Sequence, residues 1–172
     1  YMQYTEKYGE NSAAFNNMAN IYRFDLKDYK KALEYYNKAI ELESDDPLYY
    51  YNRAYLYYYN LNEKEKALAG FTKAIELAPE DAEYYYNRAY YYYEEEEEWE
   101  LALADYKKAL ELNPEGDYLF ELGYTARKLD LYETALYYYM QYIEKYGEDD
   151  ATLNNMANIC LLYTSDAADE GH

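Results

Sequence analysis

The sequence has almost none of the side chains that carry out chemistry. Its 172 residues include one cysteine and one histidine, and both stand in the last stretch, Cys160 to His172. A lone cysteine forms no internal disulfide and says nothing of redox compartment. Everything before Cys160 therefore lacks the commonest general base, the thiolate nucleophile and the usual zinc ligands. No glycine-rich phosphate loop follows a strand, because no strand is predicted. Cations are scarce as well: 16 Lys plus Arg face 35 Asp plus Glu, a formal charge of −19. Such a field repels phosphate backbones and anionic membrane surfaces, so neither nucleic acid nor a membrane is expected as a partner. Apolar runs never reach the roughly 18 residues needed to cross a bilayer. No basic-then-apolar leader opens the chain, although it also begins without an initiator Met. The cytoplasm is the default location.

What the sequence has in excess is tyrosine, 31 of them, within a composition that is 51% hydrophobic and so sufficient for a core. Self-comparison at a shift of 35 residues aligns Ala32, Ala67 and Ala102, then Ala39, Ala74 and Ala109, and also Tyr36, Phe71 and Tyr106. A fixed period of this size marks a stacked array. Each copy contains two helical patterns, one carrying Tyr50, Ala54 and Tyr57 on a face, the other Ala67, Phe71 and Ala74. Asp46-Pro47, Pro79-Glu80-Asp81 and Pro114-Glu115 punctuate the joins, where helices stop and restart. The expected fold is all-α, built of antiparallel helical hairpins.

The segments DYKKALEYYNKAIEL (28–42), EKALAGFTKAIELAPEDAEYYYNRAY (65–90) and ELALADYKKALELNPE (100–115) resemble tetratricopeptide repeats. The resemblance spans residues 1–159 and implies a right-handed α-solenoid. Hairpins are expected at about 13–44, 47–79, 82–114 and 117–147, with half hairpins at 1–10 and 150–159. In the family pattern Ala54, Ala89 and Gly123 let first helices approach Ala32, Ala67, Ala102 and Ala135 closely. Tyr36, Phe71, Tyr106 and Tyr139 would fill the space between neighbouring hairpins. Three copies carry one extra residue in the internal turn relative to the family's usual period. Arg53 and Arg88 replace the commoner Leu, and are expected to bury their stems and keep their heads in water. Tyr142 stands where the other copies have Ala, so the fourth hairpin must pack differently.

The stretch CLLYTSDAAD, opening at Cys160, resembles the translated read-through of a common transposon-based sequencing adapter. That resemblance implies an open reading frame from environmental DNA, and residues 160–172 are set aside as an artefactual tail. Residues 1–21 match 139–159 at 16 of 21 positions, a shift of 138, so a four-hairpin block is itself duplicated and the sequence reads as a window on a longer array.

Glu94 to Glu98 is the most conspicuous charge run. It lacks the alternating oxygen ligands and central Gly of a calcium loop and is expected to be a solvated helix end. Carboxylates elsewhere could support paired-acid chemistry, but on a repeat array they read as solvated faces. No catalytic residue, cofactor or metal ligand is assigned. Tyrosine is more informative. On the second hairpin, Tyr50, Arg53, Ala54 and Tyr57 form the stripe expected to pack on its own second helix. Tyr51, Tyr55 and Tyr58, with Tyr59, form a second stripe, repeated as Tyr86, Tyr90 and Tyr93 and then as Phe120 and Tyr124. By the resemblance, first helices line the inner wall of the superhelix, and this second stripe would pave its groove. Asn52 and Asn87 recur beside it and would bond a ligand's backbone. An acidic rim around aromatic faces favours a peptide or protein segment that is neutral to basic, with a cation–π contact contributing about 0.5–2 kcal/mol.

Some tetratricopeptide domains clamp a chaperone's C-terminal carboxylate with Lys, Arg and Asn. The matching positions here hold Asn16, Asn20, Asn52, Glu83 and Asn87, without the cations, so no such clamp is expected. The leading expectation is a non-enzymatic interaction scaffold. The alternatives are a regulatory or scaffolding arm of a larger enzyme or signalling protein, and a structural spacer. Apolar faces at both ends of the window lack the polar cap of a complete array. The chain should fray or self-associate through them, and a strictly monomeric scattering profile at high concentration would count against this.

Overall fold

The computed structural model describes residues 11–95 and 98–169. The expected half hairpin at 1–10, Glu96 and Glu97 of the acidic run, and residues 170–172 of the tail lie outside the described residues. Among the described residues every regular element is helical. Helices α1 (Ser12–Phe24), α2 (Tyr29–Leu42), α3 (Pro47–Leu56) and α4 (Lys64–Leu77) come first. They are followed by α5 (Ala82–Glu95), α6 (Trp99–Leu112), α7 (Leu119–Lys128), α8 (Tyr132–Tyr146) and α9 (Asp150–Asp169). The last runs unbroken past Cys160. The chain divides into two compact units, Tyr1–Tyr84 and Tyr85–His172.

The helices that open after Asn11, Asp28, Asp46, Asp81 and Asp149 carry acidic or amide caps, whose side-chain oxygens satisfy the otherwise orphaned first amides. Asn11 accepts from the Ala14 amide, Asp28 from Lys31, and Asp46 from Leu48 with Pro47 in the first turn. Asp81 accepts from Glu83 and Asp149 from both Ala151 and Thr152. The duplicated segments thus share a cap, since Asn11 bonds Ala14 as Asp149 bonds Thr152.

The turns between paired helices absorb the extra residue of three copies. In each, an amide reaches back six residues: Asp28 to Tyr22 at 2.8 Å, Glu63 to Tyr57 at 2.9 Å, Glu98 to Tyr92 at 3.2 Å. The second of these closes a π-helical turn over Tyr57–Leu61, with Asn62 in the left-handed region at φ 53°. The fourth hairpin has the shorter turn and closes with a five-residue reach, Leu131 to Ala126 at 3.0 Å.

Within hairpins the seam is made of small residues. Ala19, Ala32, Ala54, Ala67, Ala89, Ala102 and Ala135 are fully buried. A Cβ added to Gly70 would lie 2.8 Å from the Ala54 Cβ and 3.2 Å from the Tyr50 carbonyl oxygen, so α3 and α4 nearly touch backbone to backbone. The large aromatics Tyr36, Phe71, Tyr106 and Tyr139 are also buried, at 1% exposure or less. In the first unit Tyr36 packs with Ala19, Ala32 and Leu56, and in the second Tyr106 and Tyr139 pack with Leu122 and Ala126.

Of the stripe expected to pack on α4, Ala54 lies fully buried in the seam, while its larger members flank it. Tyr50, Arg53 and Tyr57 are half-buried, as are Tyr85 and Tyr92, while Tyr49, Tyr51, Tyr84 and Tyr91 are buried. A seam this close has no room for phenols, which lie beside it. Moreover α3 packs on two sides: Ala54 meets α4, while Tyr49 joins Phe15, Met18 and Ala39, and Leu56 joins Ala19, Ala32 and Tyr36. A helix with two packed sides buries more than one stripe. The displaced tyrosines sandwich an arginine in both units. Arg53 lies over Tyr50 and Tyr57 at 5.6 and 6.0 Å, and Arg88 over Tyr85 and Tyr92, both at 5.9 Å. The Arg88 head is not left in water as expected, and the Arg53 head is tied to the chain by one bond. Arg53 Nη1 donates to Asn37 Oδ1 at 2.7 Å, and Arg88 makes a two-pronged pair with the buried Asp105 at 2.7 and 2.9 Å. Burial opposes the Arg88 charge, but the hydrogen bonds and charge of Asp105 hold its pKa above the ordinary value.

Gly70→Ala tests the seam. Helix propensity alone would stabilise by about 1 kcal/mol, but overpacking against a methyl and a carbonyl costs about 1–3 kcal/mol. A net loss of up to about 2 kcal/mol in denaturant melts is expected; a gain would mean that the seam is looser than described.

Candidate functional site

In the first unit the expected stripe forms a chain of rings rather than an open floor. Tyr51 is buried, and its hydroxyl donates to Glu83 Oε1 at 2.5 Å. Its ring meets Tyr55 edge-on at 4.9 Å, Tyr55 stacks on Tyr59 at 5.1 Å, and Tyr59 meets Tyr58 at 4.6 Å. Tyr59 is the exposed end, at 53%. Burial, reinforced by the bond to Glu83, pushes the Tyr51 phenol well above its ordinary pKa. Tyr51 is therefore core, because α3 is packed on both sides. Tyr55 already carries a cation. The buried Arg23 of α1 lies over its ring at 5.4 Å, and donates to the Tyr55 carbonyl at 3.3 Å and to Asn60 Oδ1 at 2.8 Å. The asparagines are committed as well. Asn52 Nδ2 donates to Asn16 Oδ1 at 2.9 Å, Asn20 Oδ1 accepts from the Tyr36 hydroxyl at 2.5 Å, and Asn87 is buried.

The second unit brings the stripe together around a cleft of about 170 Å³. Tyr90 and Tyr93 of α5 form one wall, Phe120 and Tyr124 of α7 the other, and the buried Tyr106 of α6 contributes from below. Phe120 stacks on Tyr124 at 6.1 Å, and Tyr93 meets Tyr124 at 5.7 Å. Burial raises the Tyr93 pKa, as does the hydrogen bond it shares with Tyr124. Tyr86 lies to one side, against Tyr106 at 5.6 Å and Tyr118 at 5.5 Å. Arg127 covers the Tyr124 ring at 4.9 Å.

Three polar residues line the same cleft: Glu94, which opens the acidic run read as a solvated helix end, and Glu121 and Thr125, which the sequence reading did not mark. Glu121 Oε2 and the Thr125 hydroxyl, both shut off from solvent, have no hydrogen-bond partner among the described residues. Burial pushes the Glu121 carboxyl above its ordinary pKa, opposed by a bond from its own backbone amide and reinforced by the charge of Asp117. Its carboxylate in turn adds to the rise that burial imposes on Tyr106. A signal for Glu121 was available, since it occupies in the fourth hairpin the position held by Asn52 and Asn87 in the second and third, two residues before Gly123, Ala54 and Ala89 respectively. Among the described residues no group of three His, Cys, Asp or Glu side chains gathers as a metal site.

Short amphipathic hairpins with small-residue seams and buried aromatics define a class of all-α repeat proteins. Models of the tetratricopeptide repeat match residues 19–60, 48–81 and 92–150, and the chain belongs to that family. No curated protein matches it in sequence. Among solved structures it resembles YrrB, described as a TPR protein with an unusual peptide-binding site, at 22% identity and a TM-score of 0.80, covering 95% of this chain and 83% of that one. It also resembles MamA, at 21% identity and a TM-score of 0.73, covering 84% of this chain and 83% of that one. A third is the first TPR of Spaghetti (RPAP3) bound to HSP90 peptide SRMEEVD, at 24% identity and a TM-score of 0.62, covering 69% and 93%. At these identities the likeness shows the fold.

A carboxyl whose pKa is raised by folding binds its proton more tightly in the folded state, so stability falls as pH rises through the range just above the ordinary Glu value. Wild type should therefore lose stability relative to Glu121→Gln over that range and stay less stable at neutral pH. Parallel urea-melt profiles at all pH values would show that burial of Glu121 is without cost.

Proposed function

We propose that the chain is a non-catalytic interaction module that binds a neutral to basic peptide or protein segment through the aromatic faces of its first helices. The observation that carries this reading is the convergence of Tyr90, Tyr93, Phe120 and Tyr124 on one cleft in the second unit. Tyrosine suits such a surface because it offers a large apolar face and a hydroxyl while losing little rotamer freedom. The first unit contributes less in this reading, with Tyr51 internal, Tyr55 under Arg23, and Tyr58 and Tyr59 left at the margin. Two of the similar structures support peptide binding as the mode: YrrB, by its description, and the RPAP3 domain, by its bound peptide.

The class of peptide differs in this reading. The matching clamp positions supply Asn16, Asn20, Asn52, Glu83 and Asn87, of which Asn16, Asn20 and Glu83 already accept hydrogen bonds within the chain. An acidic peptide end would meet Glu83 and a net charge of −19. The same charge disfavours nucleic acid. No helix among the described residues is long and apolar enough to cross a membrane. Chemistry, where the full protein has any, belongs to other segments in this reading.

The test is selection of peptides from a random display library against the chain, followed by the Tyr90→Ala, Tyr124→Ala double variant. Neutral to basic sequences should be enriched. The double variant should weaken them by roughly ten- to a hundredfold, as for loss of aromatic anchors, while far-UV circular dichroism changes little. Enrichment of acidic sequences would sink the reading. A steep fall in melting with unchanged binding per folded molecule would sink it too.

A further inference from the structure

We propose that the second-unit cleft is a receptor for a lysine side chain, with the alkyl stem against the rings and the ammonium head on Glu121 and Thr125. This deepens the interaction reading above and rests on it for the source of the lysine, a partner segment.

Three features of the cleft select this occupant. The first is the pair of orphaned acceptors. Thr125 is 1% exposed, and Glu121 lies one helical turn before it on α7, so the two project on the same side of the helix. Neither Glu121 Oε2 nor Thr125 Oγ1 has a hydrogen-bond partner among the described residues. A buried acceptor without a donor is costly, and an ionised one more so. Both oxygens are closed to water, so an occupant reaches them as the half-buried Glu121 side chain turns toward the cleft, and it must then bring donors.

The second feature is charge. Glu94 stands at the exposed end of the cleft and Glu121 within it, and Asp117 adds to the negative field at Glu121. Two cations flank the cleft at Tyr124, Arg127 at 4.9 Å and Lys128 at 6.0 Å from its ring, and Arg127 also acts on Tyr93, but neither is among the groups acting on Glu121. The balance at the orphaned oxygens is negative, so a cation is favoured there over a neutral amide or an anion.

The third is shape and apolarity. The walls are aromatic and the volume is about 170 Å³, enough for a four-carbon stem and a compact head. An ammonium has three donors that turn freely about its bond, which suits Glu121, Thr125 and Glu94 approached from different directions. A guanidinium is a rigid fork that requires acceptors in one plane. A trimethylated ammonium would stack on the rings but leave both orphaned oxygens unpaired.

The test uses the full chain and four small probes: Nα-acetyl-lysine methylamide and its norleucine, arginine and Nε-trimethyllysine counterparts. Each is titrated while the Thr125 methyl and Tyr124 ring resonances are followed by NMR. The lysine probe should shift both saturably, and the norleucine and trimethyllysine probes should bind at least tenfold more weakly. Glu121→Gln should weaken the lysine probe by about tenfold or more, Thr125→Val by a few-fold, and Thr125→Ser should restore it. The proposal is overturned if the lysine probe gives no saturable shift, if norleucine or trimethyllysine binds equally well, or if Glu121→Gln binds as wild type does. Should Glu121→Gln fail to fold, the lysine–norleucine comparison on wild type and Thr125→Val still decide. Failure here is separable from failure of the interaction reading. Displayed peptides that need Tyr90 and Tyr124 but carry no lysine remove the lysine receptor alone. A lysine probe that saturates the cleft while no displayed peptide binds removes the interaction reading alone.

Discussion

The close approach of paired helices is the constraint from which the rest of the structure follows. Where Ala54 faces Gly70 there is no space for a larger side chain, and the fully buried alanines place similar small residues along the paired helices of both units. Small seams remove little apolar area from water, so most of the burial must come from elsewhere. It comes from single large aromatics, Tyr36, Phe71, Tyr106 and Tyr139, and from tyrosines such as Tyr49 and Tyr91 on the first helices. Phenols that find no place in either region line the flanks of the seams, where Arg53 and Arg88 lie between them, or line the second-unit cleft.

The acidic excess divides in the same way. One part caps helices, through Asp28, Asp46, Asp81 and Asp149. Another pairs with lysines one turn away, as in Asp28 with Lys31, Glu76 with Lys73 and Glu111 with Lys108. Those pairs are exposed and worth little individually. Asp105 differs, because it is buried and holds Arg88 with two bonds, so removing either partner leaves a charge stranded. Glu121 belongs to none of these groups, and it is this departure that makes it conspicuous.

The hairpins were legible because their signals are local and repeated: alanines at a fixed shift, aromatics at helical spacing, Asp and Pro at the joins. The site was legible in part. Tyr90, Tyr93, Phe120 and Tyr124 could be grouped from periodicity, since they share one angular position on successive first helices. Tyr51 and Asn52 share that reading yet turn inward, because α3 packs on two sides and periodicity alone cannot count neighbours. Arg23 over Tyr55 was beyond reach, because it depends on Asn60, which the π-helical turn carries back toward α1. Glu121 differs: its register with Asn52 and Asn87 is visible in the repeat, but its burial depends on the helices packed around α7, which spacing along one helix does not reveal.

The wide turns between paired helices have a consequence for how such an array changes over time. A residue inserted into an α-helix rotates everything beyond it by about 100°, which would swing alanines out of a seam and phenols into it. Here the additional residue is taken up where Asp28, Glu63 and Glu98 reach back six positions, while the fourth hairpin does without it. Copies of unequal length can thus be joined with their faces in phase. The turn works as a length buffer, and it leaves duplication and recombination of the hairpins free of the frame errors that a continuous helix would impose.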